Sequence, residues 1–221
     1  MSTLSVCCLA RNEELFLPKM LASVRDIADE IIILDTGSTD ATIELAKAFG
    51  ARVEIAEWNE DFGAMRNKVL SYATKDWVLM LDADEQITSE NSDRIQQAML
   101  KTGKAYSCTI LNVFPYQMVK SLLPMSSTRL FKRDIGLVYQ ERIHESVDSS
   151  LRKQTLMPLQ SEIEIHHYGF TDGKPLRRIR NRRSFEAELN KNPTDSFVRT
   201  HLALSLFLEK DYHKAESYFD I

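Results

Sequence analysis

The chain has 221 residues, of which 43% are hydrophobic and 27% charged, and its formal net charge is −4. That length accommodates one α/β domain with a full core, or one domain and a small appendage. The slightly acidic balance leaves no general attraction to nucleic acid, and no apolar run approaches the ~20 residues of a membrane-spanning helix.

Leu4–Leu9 reads as a buried strand, followed by a helix from about Leu15 to Val24. Glu30–Leu34, with Ile31, Ile32 and Ile33 in succession, is a second strand. The turn Asp35-Thr36-Gly37-Ser38 follows, with Thr39 or Asp40 as N-cap of a helix carrying Ile43, Leu45, Ala46 and Phe49. Gly50 stands where a glycine closes a helix. Val53–Ala56 is a third strand, Phe62–Ala73 a helix and Trp77–Leu81 a fourth strand. Apolar strands separated by helices predict an α/β fold with a Rossmann-like, mostly parallel sheet covered on both faces. Right-handed crossovers then bring the carboxyl ends of the strands to one edge, where such sheets bind ligands.

After about Ala105 the pattern changes. Ala105–Val113, Arg129–Phe131, Leu137–Tyr139 and Ile163–His167 read as shorter strands of mixed direction. From Lys174 the chain turns helical, with Pro193-Thr194-Asp195 as a break and cap. Leu202, Ala203, Leu206, Phe207, Tyr212, Ala215 and Phe219 then follow a spacing like that of one tetratricopeptide repeat. A lone repeat cannot bury its own face, so a piece of a longer protein is expected. The alternative is a helical hairpin packed on the first domain. The expected division is 1–172 for the α/β domain and 173–221 for the helical extension.

Cys7, Cys8 and Cys108 lack metal-like spacing, and Cys7 and Cys8 must point to opposite faces of one strand. They read as buried thiols of a reducing compartment. The N-terminus has no signal-peptide pattern, so a cytoplasmic location is expected.

The chemistry begins where the apolar run Trp77–Leu81 meets Asp82-Ala83-Asp84-Glu85. In extended backbone Asp82 and Asp84 face one side. Two like charges at the lip of a buried sheet call for a cation or a ligand rich in donors, and hard carboxylate oxygens suit Mg²⁺ or Mn²⁺. The alternative is a solvated turn in which these acids cap a helix. Asp35 ends the second strand in the same manner, placed to accept from a ribose or a base, or simply to cap its own turn. Asn12 and Glu13 follow the first strand at the same edge, where Asn12 is equally suited to N-capping. Neither GxGxxG nor GxxxxGK[ST] is present at this edge, which argues against a Rossmann dehydrogenase and a P-loop NTPase.

The stretches CLARNEE, DEIIILDTGSTDAT, EWNEDFGAMRN and WVLMLDADEQI, in this order, resemble the family 2 glycosyltransferases of GT-A fold. RLFKR, YQERIHE and IHHYGF resemble the branch of that family that carries tetratricopeptide repeats after the catalytic domain. The resemblance spans roughly residues 4 to 220 and is strongest up to Glu85.

It implies an inverting, metal-dependent transfer from a UDP-sugar to a hydroxyl acceptor on a saccharide, a lipid-linked saccharide or a peptide. Asp35 would hold the uracil or ribose, helped by the backbone near Ala10 and by Asn12 or Glu13. Arg66 would meet the base or diphosphate. Asp82 would contact ribose or metal, and Asp84 would ligate the metal, with His167 as the other candidate ligand. Glu145 would be the general base, and His144 a metal ligand or positioning group.

The run Lys174–Arg183 holds six basic residues. It reads as a solvated helix face or, alternatively, as a contact for an anionic acceptor or the inner face of a membrane. A repeat region would offer a protein-binding surface. Two competing readings are a sugar nucleotidyltransferase, disfavoured because CLARNEE contains no glycine, and a non-catalytic adaptor with a degenerate transferase domain.

Overall fold

The computed structural model describes residues 2–113, 124–142, 145–169, 182 and 185–219. The chain divides into two compact units, Met1–Thr171 and Asp172–Ile221.

Among the described residues the first unit is built on one eight-stranded sheet. Its strands are β1 (Leu4–Ala10), β2 (Glu30–Asp35), β3 (Arg52–Ile55), β4 (Trp77–Asp82), β5 (Glu85–Gln86), β6 (Ala105–Asn112), β7 (Met125–Lys132) and β8 (Leu159–His167), in spatial order β3-β2-β1-β4-β7-β6-β8-β5. The β3-β2-β1-β4 half is parallel throughout. Beyond it β7 runs antiparallel to both β4 and β6, β8 runs parallel to β6, and β5 runs antiparallel to β8. The chain winds outward from β1 through β2 to β3, then returns to the other side of β1 as β4. The crevice beside β1 and β4 is therefore the switch point at which such sheets take ligands.

Alternation along the inner strands explains the continuous apolar runs. Trp77, Leu79 and Leu81 of β4 face one layer, and Val78 and Met80 face the other. The first layer packs on helices α1 (Leu17–Val24), α2 (Thr42–Ala48) and α4 (Ser89–Leu100) through Leu17, Met20, Leu21, Val24, Ala46, Ile95, Ala98 and Met99. The second packs on α3 (Phe62–Leu70) and α5 (Asp148–Lys153) through Met65, Val69 and Leu151. Each large side chain of β4 is at most 1% exposed, and full burial contributes roughly 1.5–3 kcal/mol for a Leu or Val. Cys8 lies in the first layer and Cys7 in the second, on opposite faces as expected. Burial, with Glu30 adding to it, pushes the Cys7 thiol up to about 12. Burial likewise holds Cys8 well above its ordinary value and Cys108 at about 11.

Several expectations need correction. α2 begins at Thr42 with Ala41 in the cap position, not Thr39 or Asp40. Asp40 still serves the turn, because its Oδ1 accepts from Thr42 N at 3.0 Å. α3 stops at Leu70 rather than Ala73. Leu137–Tyr139 is not a strand. Its alternation comes from burying Leu137 and Tyr139 in the second layer, while side chains take the place of a strand partner: Val138 N donates to Ser150 Oγ and Tyr139 N to Asn67 Oδ1. The sequence reading passed over β5, α4 and α5. α4 has a mostly polar sequence and is capped by Thr88, whose side chain accepts from Asn91 N.

In the second unit, residues 185–191 form a helix, here α6, followed by α7 (Ser196–Leu208) and α8 (Tyr212–Phe219). Asp195 Oδ1 accepts from Val198 N at 3.0 Å, the cap anticipated after Pro193. Leu202, Leu206 and Ala215 form a small core with Phe185, Leu189 and Tyr218 packed against it. Within the basic run only Arg182 is described, and it pairs with Glu209 at 2.6 Å.

Candidate active site

Parallel register sets the framework. Ala10 is level with Asp35 across β1 and β2, and Leu9 is level with Asp82 across β1 and β4. The carboxyl ends of three neighbouring strands therefore present Ala10, Asp35 and Asp82 along one lip of the sheet.

On the β1–β2 side the two loops are stitched together. Asn12 adopts φ +56, a left-handed conformation that Asn tolerates better than most residues. Its Oδ1 accepts from Thr39 N at 2.8 Å, and its own N–H donates to Ser38 Oγ at 2.9 Å. Glu13 N donates to Thr42 Oγ1, and the Ala10 carbonyl accepts from Thr36 N. Asp35 is buried at 1% exposure. Its Oδ1 accepts from Gly37 N at 2.9 Å and Ser38 N at 2.8 Å, while the Ser38 hydroxyl donates to Oδ2. The β1 and β2 candidates thus share one rim, and Asp35 braces its own turn there.

On the β4 side the acids are held by distant cations. Arg66 of α3 bridges Asp82 Oδ1, at 2.7 Å from Nη2, and Glu145 Oε1, at 2.6 Å from Nε. Arg129 of β7 donates to Glu85 Oε1 at 2.8 Å and lies 3.4 Å from Asp82 Oδ2. Burial opposes ionisation of Asp82, but Arg66 and Arg129 hold its carboxyl well below the usual carboxylate range. Burial pushes the Glu85 carboxyl up to about 7; Arg129 opposes the shift and Asp82 adds to it. Burial also raises the Tyr139 hydroxyl, whose ring lies 5.6 Å from the Arg66 guanidinium carbon. Arg66 Nη1 and the Tyr139 hydroxyl are buried without a hydrogen-bond partner among the described residues.

Asp84 departs from expectation. Ala83 and Asp84 form a turn, closed by Glu85 Oε2 accepting from Asp82 N at 2.8 Å. The extended-backbone premise therefore fails, and the two aspartates have different partners. Asp84, 1% exposed, places Oδ2 3.1 Å from His167 Nε2 at the end of β8. A carboxylate and an imidazole brought together form a donor set suited to a divalent transition metal and compatible with Mg²⁺. Of the three expected ligands, Asp84 and His167 come together while Asp82 is engaged by arginines. Among the described residues no cluster of three or more His, Cys, Asp and Glu stands ready as a cation cage. His144 lies outside the described residues.

The sequence reading gave no site role to Arg129, Tyr139 or Asn112, and took Glu85 only as one of a run of acids suited to capping a helix. Arg129 had a signal only in its place next to the apolar pair Leu130-Phe131, where a cation drawn inward needs acids. Asn112 ends an apolar strand just as Asp35 and Asp82 do.

The glycosyl transferase family 2 model matches residues 5–156. The chain belongs to that family. A TPR repeat-containing protein of Synechococcus elongatus is 34% identical, with the match covering 98% of this chain and 55% of that protein. Glycosyltransferase SunS of the SPβ prophage of Bacillus subtilis is 28% identical over 89% of this chain and 45% of its own length. This chain spans about half the length of these curated relatives. Among solved structures, glucosyl-3-phosphoglycerate synthase from Mycobacterium tuberculosis superposes with a TM-score of 0.62 at 18% identity, covering 93% of this chain and 79% of that one. A complex of that enzyme with Mn²⁺, UDP and glucosyl-3-phosphoglycerate superposes at 0.57 with 19% identity, covering 86% and 79%. The S. aureus TarS fragment 1–349 superposes at 0.58 with 16% identity, covering 92% and 70%. The first unit therefore has the GT-A architecture of this family, and among the described residues no helix is long and apolar enough to cross a membrane.

Proposed function

We propose that the protein transfers a hexosyl group from a UDP-sugar to a hydroxyl acceptor, assisted by Mn²⁺ or Mg²⁺. The observation that carries this reading is the pairing of Asp84 with His167, close enough to act on the charge of Asp82, which Arg66 bridges to Glu145 at the end of β4. The solved relative that binds UDP with Mn²⁺ supports the same ligands here.

Asp84 Oδ2 and His167 Nε2 would hold the cation. When bound, a divalent ion supplies positive charge against the negative charge that develops on a departing diphosphate. Asp35, with the Ala10 backbone, Asn12 and Glu13, forms the rim for the uracil and ribose; engaging the nucleoside would require Asp35 to share its turn contacts. Asp82, fixed between two arginines, lies level with β1 for a ribose hydroxyl. Arg66 Nη1, without a hydrogen-bond partner among the described residues, is a donor for base or diphosphate.

Glu145 is the group we assign to take the acceptor proton. Arg66 fixes its Oε1, which orients the carboxylate toward the acceptor side. Attack from the face opposite the departing diphosphate inverts the anomeric carbon. The acceptor is a saccharide, a lipid-linked saccharide or a peptide hydroxyl, and the helical unit serves as a repeat-type surface for a partner or acceptor.

Calorimetry with UDP, with and without Mn²⁺, tests the reading. Binding should tighten with metal and lose that dependence in Asp84→Ala. A screen of UDP-glucose and UDP-N-acetylglucosamine for UDP release then identifies the donor. Absence of UDP binding with metal would leave the adaptor reading in its place.

A further inference from the structure

Asn112, the polar residue that closes β6, has no part in the function above. It stands in register with His167 across the parallel β6–β8 pair, and on its other side His167 is in register with Glu85 of β5. The histidine is therefore fixed between two strands at the point where β6 ends and β5 begins. Its Nδ1 lies 2.8 Å from Asn112 Oδ1, and its Nε2 lies 3.1 Å from Asp84 Oδ2.

The chemistry of these atoms orders the site. An amide oxygen only accepts, so the ring hydrogen of a neutral imidazole belongs on Nδ1. Asp84 Oδ2, as a carboxylate oxygen, is also only an acceptor, so Nε2 and Oδ2 share either a hydrogen or, once the ring hydrogen is held on Nδ1 alone, a cation. Two acceptors brought within 3.1 Å of each other suit a shared cation. A hydrogen bond from the far ring nitrogen sets which nitrogen can ligate a metal, and removing such an outer partner typically costs 10–100-fold in metal affinity.

We propose that Asn112 is a positioning residue for the metal: it holds His167 as the Nδ1–H tautomer, so that Nε2 and Asp84 Oδ2 face one divalent cation together. This rests on the assignment of Asp84 and His167 as ligands. It adds a strand-end amide whose effect passes entirely through the imidazole, without touching donor or acceptor.

Mn²⁺ binding to the full chain, alone and with UDP, is measured by calorimetry and by the electron paramagnetic resonance signal of free Mn²⁺. Asn112→Ala should bind Mn²⁺ about 10–100-fold more weakly than wild type. Asn112→Asp, whose carboxylate still accepts from Nδ1, should stay within a few-fold of wild type by the same rule, and metal-free UDP binding should not change in either. Wild-type Mn²⁺ affinity in Asn112→Ala, with affinity lost in Asp84→Ala and His167→Ala, overturns the positioning role while leaving the ligands intact. Wild-type affinity in all of these variants overturns the ligand assignment itself. Nitrogen-15 NMR of the imidazole in the Mg²⁺-loaded protein supplies a second readout that needs no variant to fold: wild-type His167 should carry its hydrogen on Nδ1, and finding it on Nε2 overturns the proposal.

Discussion

Asp35 and Asp82 end strands on either side of β1, yet they are held in opposite ways. Asp35 accepts from Gly37 and Ser38, within three residues of itself. Asp82 is held by Arg66 of α3 and Arg129 of β7, 16 and 47 residues away. The β1–β2 rim is therefore a local device that forms wherever its turn forms. The β4 rim is a tertiary device that exists only once α3, β7 and the Glu145 segment have docked. A carboxylate held by peptide N–H groups tolerates loss of its charge, whereas one that neutralises buried guanidiniums does not.

The largest effect that would sharpen this contrast is on Arg129. Arg129→Leu leaves Glu85 and Asp82 without a shared cation and should cost about 3–5 kcal/mol in urea unfolding. Adding Glu85→Gln should recover part of that loss, and a cost below ~1 kcal/mol would show that the network does not act as one unit. Next is the docking of α3. A Cβ on Gly63 would lie 2.5 Å from the Glu141 carbonyl oxygen, which has no flexible side chain to yield. Gly63→Ala should therefore cost about 1–3 kcal/mol, read as a lower melting temperature, and should loosen Glu145 as well.

A smaller effect comes from Glu30, whose carboxylate accepts from Ser5 Oγ, Thr74 N and Thr74 Oγ1. Burial opposes its ionisation, but these bonds hold its carboxyl below the ordinary 4.5. A lowered folded value means stability gained above the unfolded pKa and lost as pH falls through the folded one. Glu30→Gln should therefore cost about 1 kcal/mol near neutrality. That difference should shrink in unfolding experiments below pH 4.5; a constant difference would remove the electrostatic account. The smallest expected effect is Asp35→Asn. The amide oxygen still accepts from Gly37 and Ser38, so melting should shift by less than ~1 kcal/mol equivalent. UDP affinity, by the proposed role, should fall measurably, and an unfolded Asp35→Asn would erase the distinction between the two rims.

The same distinction explains what the sequence made legible. The parallel strands showed as runs such as Ile31–Leu34 and Trp77–Leu81, because burial on both faces writes itself into consecutive residues. Asp35, Asp82 and Asp84 were visible as polar residues ending those runs. Arg129, Glu85 and Asn112 were given no role, because their importance depends on which strands lie beside them, and the pairs β4–β7, β6–β8 and β8–β5 are out of chain order. Residues 137–139 misled for a related reason: Ser150 and Asn67 supply acceptors that alternation alone assigns to a neighbouring strand.

The three thiols have a practical consequence. Cys7, Cys8 and Cys108 are each 0% exposed, and their raised pKa values leave little thiolate at neutral pH. Alkylating reagents attack thiolate and need access to it, so the native sheet should resist them. Cys7 and Cys8 sit back to back on β1 and Cys108 lies across the sheet on β6, so modification of all three should follow opening of the sheet. Mass spectrometry after a short pulse of iodoacetamide would then count open molecules directly, with no engineered label.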